Sequence, residues 1–242
     1  MSIGVVPRER SDAFRISDYR PEIEYRVATA PDELEAIYRL RYRAYLREGA
    51  IEADASGRFT DDYDRMDNCW IFGVHADETL VSSIRVHVIS RKRRKGPALD
   101  VFPDIVSPLI EAGRVIVDPT RFVTDAEANR RYPELAFITM RVPCMACLCF
   151  DADYGFATVR AEHRAFYQRF FEAKALCEPR PYPTLNYPIC VMQIEVARMR
   201  DVLMSRHANF RSSIAEWRLV FENSAVARQL ADIAAPALPA IN

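Results

Sequence analysis

The spacing of apolar residues along the chain changes period several times, and each change marks an element. In "EYRVAT" (24–29) apolar and polar residues alternate, the pattern of a half-buried strand. Across residues 31–48, "PDELEAIYRLRYRAYLRE", the residues Leu34, Ile37, Tyr38, Tyr42 and Tyr45 recur at helical spacing and define one apolar face. Thr29 with Asp32 resembles a capping box, and Pro31 suits a first helical turn. Residues 49–68 read as an acidic loop. "CWIFGVHA" (69–76) and "TLVSSIRVHVI" (79–89), joined by Asp77-Glu78, predict an antiparallel hairpin. A basic loop beginning "RKRRK" (91–95) runs into short irregular structure. The stretch "EAGRVIVDPTRFVTD" (111–125) supplies the next strand, centred on Val115-Ile116-Val117. Residues 132–150 form an apolar helix in which Pro143 predicts a kink. A strand (155–162), a helix (163–175) and a final strand (187–197) follow, and a helical segment from Arg198 leads into an Ala/Pro tail.

This order predicts an α+β fold, a mixed and mostly antiparallel sheet flanked by helices. The chain divides into an N-terminal arm (1–23), a main domain (24–200) and a C-terminal helical extension (201–242).

Composition narrows the picture. The 242 residues are 50% hydrophobic and carry a net charge of -1, so no global field draws the protein to nucleic acid or to a membrane. No run approaches the roughly 18 apolar residues of a spanning helix, and the charged N-terminus lacks a secretory apolar core. Six cysteines without such a leader suit the cytoplasm. Seven glycines, with no G-x-G-x-x-G and no P-loop, argue against a nucleotide cradle.

Several charged residues sit where charge is costly. Glu111 and Arg114 stand at the mouth of the apolar strand 115–117. A carboxylate there can act as a general base. An arginine there can hold a carboxylate in a two-pronged bond. The alternative is a structural ion pair closing the strand end. Strict alternation puts the two on opposite faces, and a bulge at Gly113 would bring them together. Arg41 lies in the apolar stripe of the first helix and either reaches solvent or meets an anion, with Tyr45 beside it as a pocket wall. Asp61 and Asp64 sit in the acidic loop, whose spacing does not make an EF-hand, and no metal site is expected. Arg85 shares a strand face with Ser83 and His87. The basic run Arg91, Lys92, Arg93, Arg94 and Lys95 is either a solvated loop or a dock for an acidic partner. No aromatic residues interleave it, which argues against nucleic acid. Cys144 and Cys147 form a C-x-x-C on an apolar helix and read as packing thiols.

Four short segments, in order, carry a resemblance: "LRYRAY" (40–45), "DDYD" (61–64), "SSIRV" (82–86) and "EAGR" (111–114). Together they resemble the acyl-homoserine lactone synthases and the long-chain N-acyl amino acid synthases of the GNAT acyltransferase superfamily. The resemblance implies a sheet whose fourth and fifth strands splay apart to admit a pantetheine arm. It also implies a strand bulge that frees a backbone N–H as an oxyanion donor. It gives Glu111 the role of base and Tyr167 that of proton donor to the departing thiolate, a tyrosine that core packing beside Phe166, Phe170 and Phe171 explains equally. Arg41, Tyr45, Asp61, Asp64, Arg85 and Arg114 become substrate-binding residues. Ile51 stands where the lactone synthases carry tryptophan, and no glycine loop for a pyrophosphate follows Arg121. Both departures favour an acyl carrier protein as donor and an amino acid as acceptor, with no cofactor beyond the acyl-phosphopantetheine thioester. A lactone synthase using S-adenosylmethionine and a non-catalytic ligand-binding domain are the alternatives.

Overall fold

In the computed structural model, residues 13–15 and 23–221 are described. Most of the arm and the tail beyond residue 221 lie outside them. The strands are β1 Ala13–Arg15, β2 Ile23–Val27, β3 Cys69–Ala76, β4 Thr79–Ile89, β5 Ile116–Thr124, β6 Tyr154–Val159, β7 Lys174–Ala175 and β8 Cys190–Glu195. The helices are α1 Pro31–Arg47, α2 Pro97–Val101, α3 Pro103–Glu111, α4 Ala126–Arg131, α5 Leu135–Cys149, α6 Arg164–Phe171, α7 Val196–Arg206 and α8 Ile214–Phe221.

Local chemistry explains the element ends. At α1 the N-cap is Ala30, which has no side-chain acceptor, so the capping glutamate differs from the expected pair. Glu33 reaches back to the N–H groups of Thr29 and Ala30 at 3.2 and 3.3 Å. The hairpin β3–β4 turns through Asp77 and Glu78, both with positive φ, as a two-residue connection requires. Helix α5 continues through Pro143. Glu172, left-handed at φ 54°, ends α6, and the chain returns at once as β7.

One expectation is corrected. Residues 103–111 are helical, so Glu111 ends α3 and does not open the strand. Phe102, Val106 and Ile110, four apart and fully buried, form the apolar stripe that drives this. Gly113 makes no bulge; it lies in the turn between α3 and β5 with φ 82°.

The strands form one sheet in the order β1-β2-β3-β4-β5-β6-β8-β7. Neighbours are antiparallel except β5 and β6, which run parallel. The parallel ladder holds only Ile116 against Tyr154 and Val117 against Gly155. Beyond these, β5 runs on to Thr124 and β6 to Val159, and the two diverge. These are the fourth and fifth strands of the sequence reading, renumbered by the short β1. Helices α5, α6, α7 and α8 cover one face through Trp70, Phe72, Val86, Val117, Met145 and Phe221. Helices α1, α2 and α3 cover the other. Among the described residues no helix is long and apolar enough to cross a membrane.

Phe221 ties α8 to the core. Its ring lies 5.5 Å from Phe72, 5.5 Å from Phe150 and 6.0 Å from Trp70. Phe221→Ala is expected to destabilise the protein by about 3–5 kcal/mol, read from the denaturant midpoint.

Candidate active site

The divergence of β5 and β6 opens a cavity of about 390 Å³ that passes through the sheet. At one end Met140, Pro143, Cys144, Cys147, Tyr167 and Met199 make an apolar channel beneath α5, α6 and α7. At the other, Tyr45, Glu48, Arg121, Arg160, Tyr182 and Tyr187 make a polar mouth on the α1 side. Gly155 lets α5 approach β6 closely: a Cβ there would lie 3.2 Å from the Cys147 sulfur. Burial pushes the Cys144 thiol up to about 12 and raises that of Cys147, so both line the channel as neutral packing groups.

A bulge in β5 shapes the mouth. From Ser83 to Arg85 on β4, the partners on β5 run from Val123 to Thr120, one residue more than the facing strand. Arg121 absorbs the extra residue with a left-handed φ of 54°. Alternation would send Thr120 and Arg121 to opposite faces. The turn brings both to the α1 side, where Thr120 accepts from Arg85 Nε at 2.9 Å and Arg121 meets Asp61.

That meeting is part of a buried charge cluster. Arg41 on α1 donates from Nη1 to both oxygens of Asp64, at 2.8 and 2.9 Å. Arg85 on β4 donates to Asp64 at 3.0 Å and also to Asp61. Arg121 reaches Asp61 at 2.6 Å and the Thr184 hydroxyl at 3.0 Å. Thr60 donates its hydroxyl to Asp64 at 2.8 Å. Arg41 and Arg85 have no exposed side-chain surface, and Asp64 has 1%. Asp61 and Asp64 reach the arginines because a short 3-10 turn, Asp62–Arg65, holds them one turn apart. Burial would push both carboxyls up. The guanidinium groups of Arg41 and Arg85 outweigh it at Asp64, and those of Arg85 and Arg121 at Asp61, so both are held below the usual carboxylate range.

Three guanidinium groups face two carboxylates, an excess of one positive charge. Asp118 lies on the same face, fully buried, and accepts from the N–H of Ala98 at 3.0 Å. Burial raises its pKa to about 6, against the opposing pull of the Ala98 N–H and Arg85. His87 is its partner across β4 and β5. Burial and then Arg85 push His87 down to about 3, so the ring is neutral and donates from Nε2 to the carbonyl of Tyr63 at 3.1 Å.

The structure thus brings Arg41, Tyr45, Asp61, Asp64 and Arg85 together; Tyr45 packs on Phe59 at 4.8 Å and lies under Arg121 at 5.5 Å. Tyr167 lines the apolar channel against Phe166 and Phe171. Glu111 and Arg114 stand apart. Glu111 is 65% exposed and 3.4 Å from Arg94, and Arg114 pairs with Asp153 at 2.7 Å. The basic run is partly consumed internally: Arg91 donates to the carbonyls of Ile110 and Glu111, and Arg93 pairs with Asp67 at 3.1 Å. It follows Ile89, which faces Ile116, so it sits where β5 and β6 are still paired. Sequence reasoning missed Asp118 and Arg121. The spacing acid-x-x-arginine recurs in "DPTR" (118–121), inside the same stretch, with aspartate for glutamate. Among the described residues no group of three or more His, Cys, Asp and Glu could hold a metal ion.

Asp64→Ala strands the buried Arg41 and leaves Arg85 with Asp61 alone, and is expected to cost about 3–5 kcal/mol. The pH dependence has two signs. Asp61 and Asp64 stabilise the fold above about pH 4, the ordinary carboxylate value, and that contribution is lost as acid titrates them. Asp118 contributes fully below about pH 4 and loses its contribution as pH rises through its folded pKa of about 6. Asp118→Asn is therefore expected to gain stability relative to the parent between pH 4 and pH 8, measured as a difference in denaturant midpoint.

A family model described as N-acyl amino acid synthase FeeM matches residues 36–195. A search of the curated proteins found no match. Among solved structures, FeeM, an N-acyl amino acid synthase from uncultured soil microbes, aligns with a TM-score of 0.63 at 17% identity, over 78% of this chain and 98% of that one. BjaI, a CoA-dependent acyl-homoserine lactone synthase, aligns with a TM-score of 0.56 at 19% identity, over 76% of this chain and 85% of that one. The lactone synthase LasI gives 0.54 at 13% identity, over 72% and 88%. These similarities are of fold, which is GNAT-like. With two thirds of its length matched to the family model, the chain belongs to the FeeM family of N-acyl amino acid synthases and is an acyltransferase.

Proposed function

We propose that the protein moves a medium or long acyl chain from the phosphopantetheine thioester of an acyl carrier protein to the α-amine of an amino acid. The observation that carries this reading is the cleft between β5 and β6, apolar at one end and polar at the other. The unpaired edges of the two strands suit the amides of an extended pantetheine arm. The channel suits an alkyl tail, each buried methylene contributing roughly 0.8 kcal/mol. The bulge at Arg121 takes one β5 residue out of the ladder, and an N–H freed there suits the oxyanion of the tetrahedral adduct.

The acceptor's ammonium must lose one proton before attack. Glu111 is the base by family pattern, but it lies at a helix end outside the cleft lining. Asp118 fits better. Its own side chain is buried outside the lining, but its neighbours Val117 and Pro119 both line the cleft, and burial raises its pKa to about 6. The amine then attacks the carbonyl carbon, the C–N bond forms, and the C–S bond breaks. The adduct sheds its second proton to water at the mouth, and the departing sulfur gains one from Tyr167, whose ring lines the channel and which regains a proton from water before the next turnover. No metal or cofactor is needed for this chemistry, since holding amine and thioester at attack distance supplies much of the acceleration. On this geometry the tether enters where the strands have parted, away from Arg91–Lys95. Cys144 and Cys147, thiols packed along the channel, suit a reducing cytoplasm.

Purified protein with dodecanoyl carrier protein and an equal mixture of the standard amino acids is expected to yield an N-dodecanoyl amino acid by mass spectrometry. A lactone formed from S-adenosylmethionine, or no turnover of any donor, overturns the reading. Asp118→Asn is expected to lower kcat about 100-fold or more, and Glu111→Gln to stay within about twofold. The opposite ranking returns the base to Glu111.

A further inference from the structure

Between β7 and β8 the chain crosses the α1 face as Pro181-Tyr182-Pro183-Thr184-Leu185-Asn186. Within this strap Thr184 holds a φ of 76°, a conformation that a β-branched side chain rarely adopts and that glycine would take without strain. The surroundings hold it there. Asn186 donates its N–H to the Ala50 carbonyl at 2.8 Å, and Leu185 donates to Tyr182 at 3.2 Å. Arg180, at the strap's root, grips Asp104 at 2.7 and 2.8 Å. Strain kept at a cavity wall points to a use for the side chain.

The hydroxyl is that side chain's functional group. Thr184 Oγ1 accepts from Arg121 Nη2 at 3.0 Å. A hydroxyl both accepts and donates, and the Thr184 proton has no acceptor among the described residues. Thr184 also lines a second hollow of about 510 Å³ beside the cleft, with Tyr42, Ile51, Phe59 and Asn186. Leu185 lines both hollows, so the strap is their shared wall. On the cleft side that wall is the Arg121 guanidinium, 4.2 Å over the Phe59 ring.

We propose that the second hollow receives the acceptor amino acid and that Thr184 is a positioning residue whose O–H donates to the acceptor's carboxylate. This rests on the acyl-transfer reading above. A hydroxyl that accepts from a guanidinium keeps its own proton to donate, and a carboxylate is a strong acceptor for it; Arg58 lines the hollow, as do Glu52 and Asp54, of which Glu52 already accepts from Asn186. With the carboxylate held at the wall, the α-amine faces the cleft and the side chain extends into the hollow.

The test uses the full chain, dodecanoyl carrier protein as donor, and the amino acid that the parent protein consumes from the standard mixture. Thr184→Val keeps the shape and removes the hydroxyl. It is expected to raise KM for the amino acid about tenfold, the loss of one hydrogen bond to a charged group, and to leave KM for the donor within about twofold. Thr184→Ser is expected to recover the parent value. Thr184→Gly suits the backbone but lacks the hydroxyl, so it reads the same KM loss even if the valine variant fails to fold. An unchanged amino-acid KM in both hydroxyl-free variants, or an equal rise in donor KM, overturns the proposal while leaving acyl transfer intact. A parent protein that acylates no amino acid overturns the function itself, and this proposal with it.

Discussion

Two carboxylates from one short turn hold three arginines from three different elements, and the geometry of the cleft depends on that arrangement. Arg85 is its centre, fully buried on β4 and shared between Asp61 and Asp64. Through it α1, the 59–65 loop, β4 and β5 are fixed to one another, and Arg121 extends the grip to the strap. Such a cluster is an expensive way to add stability, because every charge in it has left water. Its value is positional. Apolar residues in the same volume would pack with many near-equal arrangements, whereas a guanidinium–carboxylate pair accepts few. The mouth of the cleft therefore has a defined width before any ligand arrives.

Burial, set against the Ala98 N–H and the neighbouring Arg85, gives Asp118 its character. An isolated buried aspartate would be neutral throughout the ordinary pH range, and one enclosed by arginines would stay ionised. Asp118 lies between these limits because burial raises it while the Ala98 N–H and, less strongly, Arg85 on the neighbouring strand pull it back. A group balanced in this way can change charge during a reaction at little cost, which is what proton transfer demands. His87, opposite it, is held neutral and adds no competing charge.

Where local periodicity is long, the chain was legible. The α1 face, the β3–β4 hairpin and the apolar helix α5 all announce themselves over many residues, and the divided sheet followed from the family pattern. The misses share a cause. Strands β1 and β7 span three and two residues, too short for any period to register. Helix α3 begins with proline and carries Pro108 within it, which masked the Phe102, Val106, Ile110 stripe. The bulge was sought at glycine because glycine is the residue that tolerates positive φ, but the protein places arginine there. Tertiary bonds from Arg121 to Asp61 and Thr184 override the local preference, and no local rule could show that. The bulge lies eight residues beyond Gly113, at Arg121.

Most sheets have two outer margins. This one has four, because the parting of β5 from β6 creates two more inside the molecule. Those inner margins are shielded from other protein chains by α1, α5 and the strap, so they avoid the aggregation that exposed edges invite. Only a slender, extended molecule bearing its own amides can reach them. Occupancy would stitch β1–β5 to β6–β8 along a seam that two residue pairs hold in its absence, so the donor would serve as a removable part of the scaffold as well as a reactant.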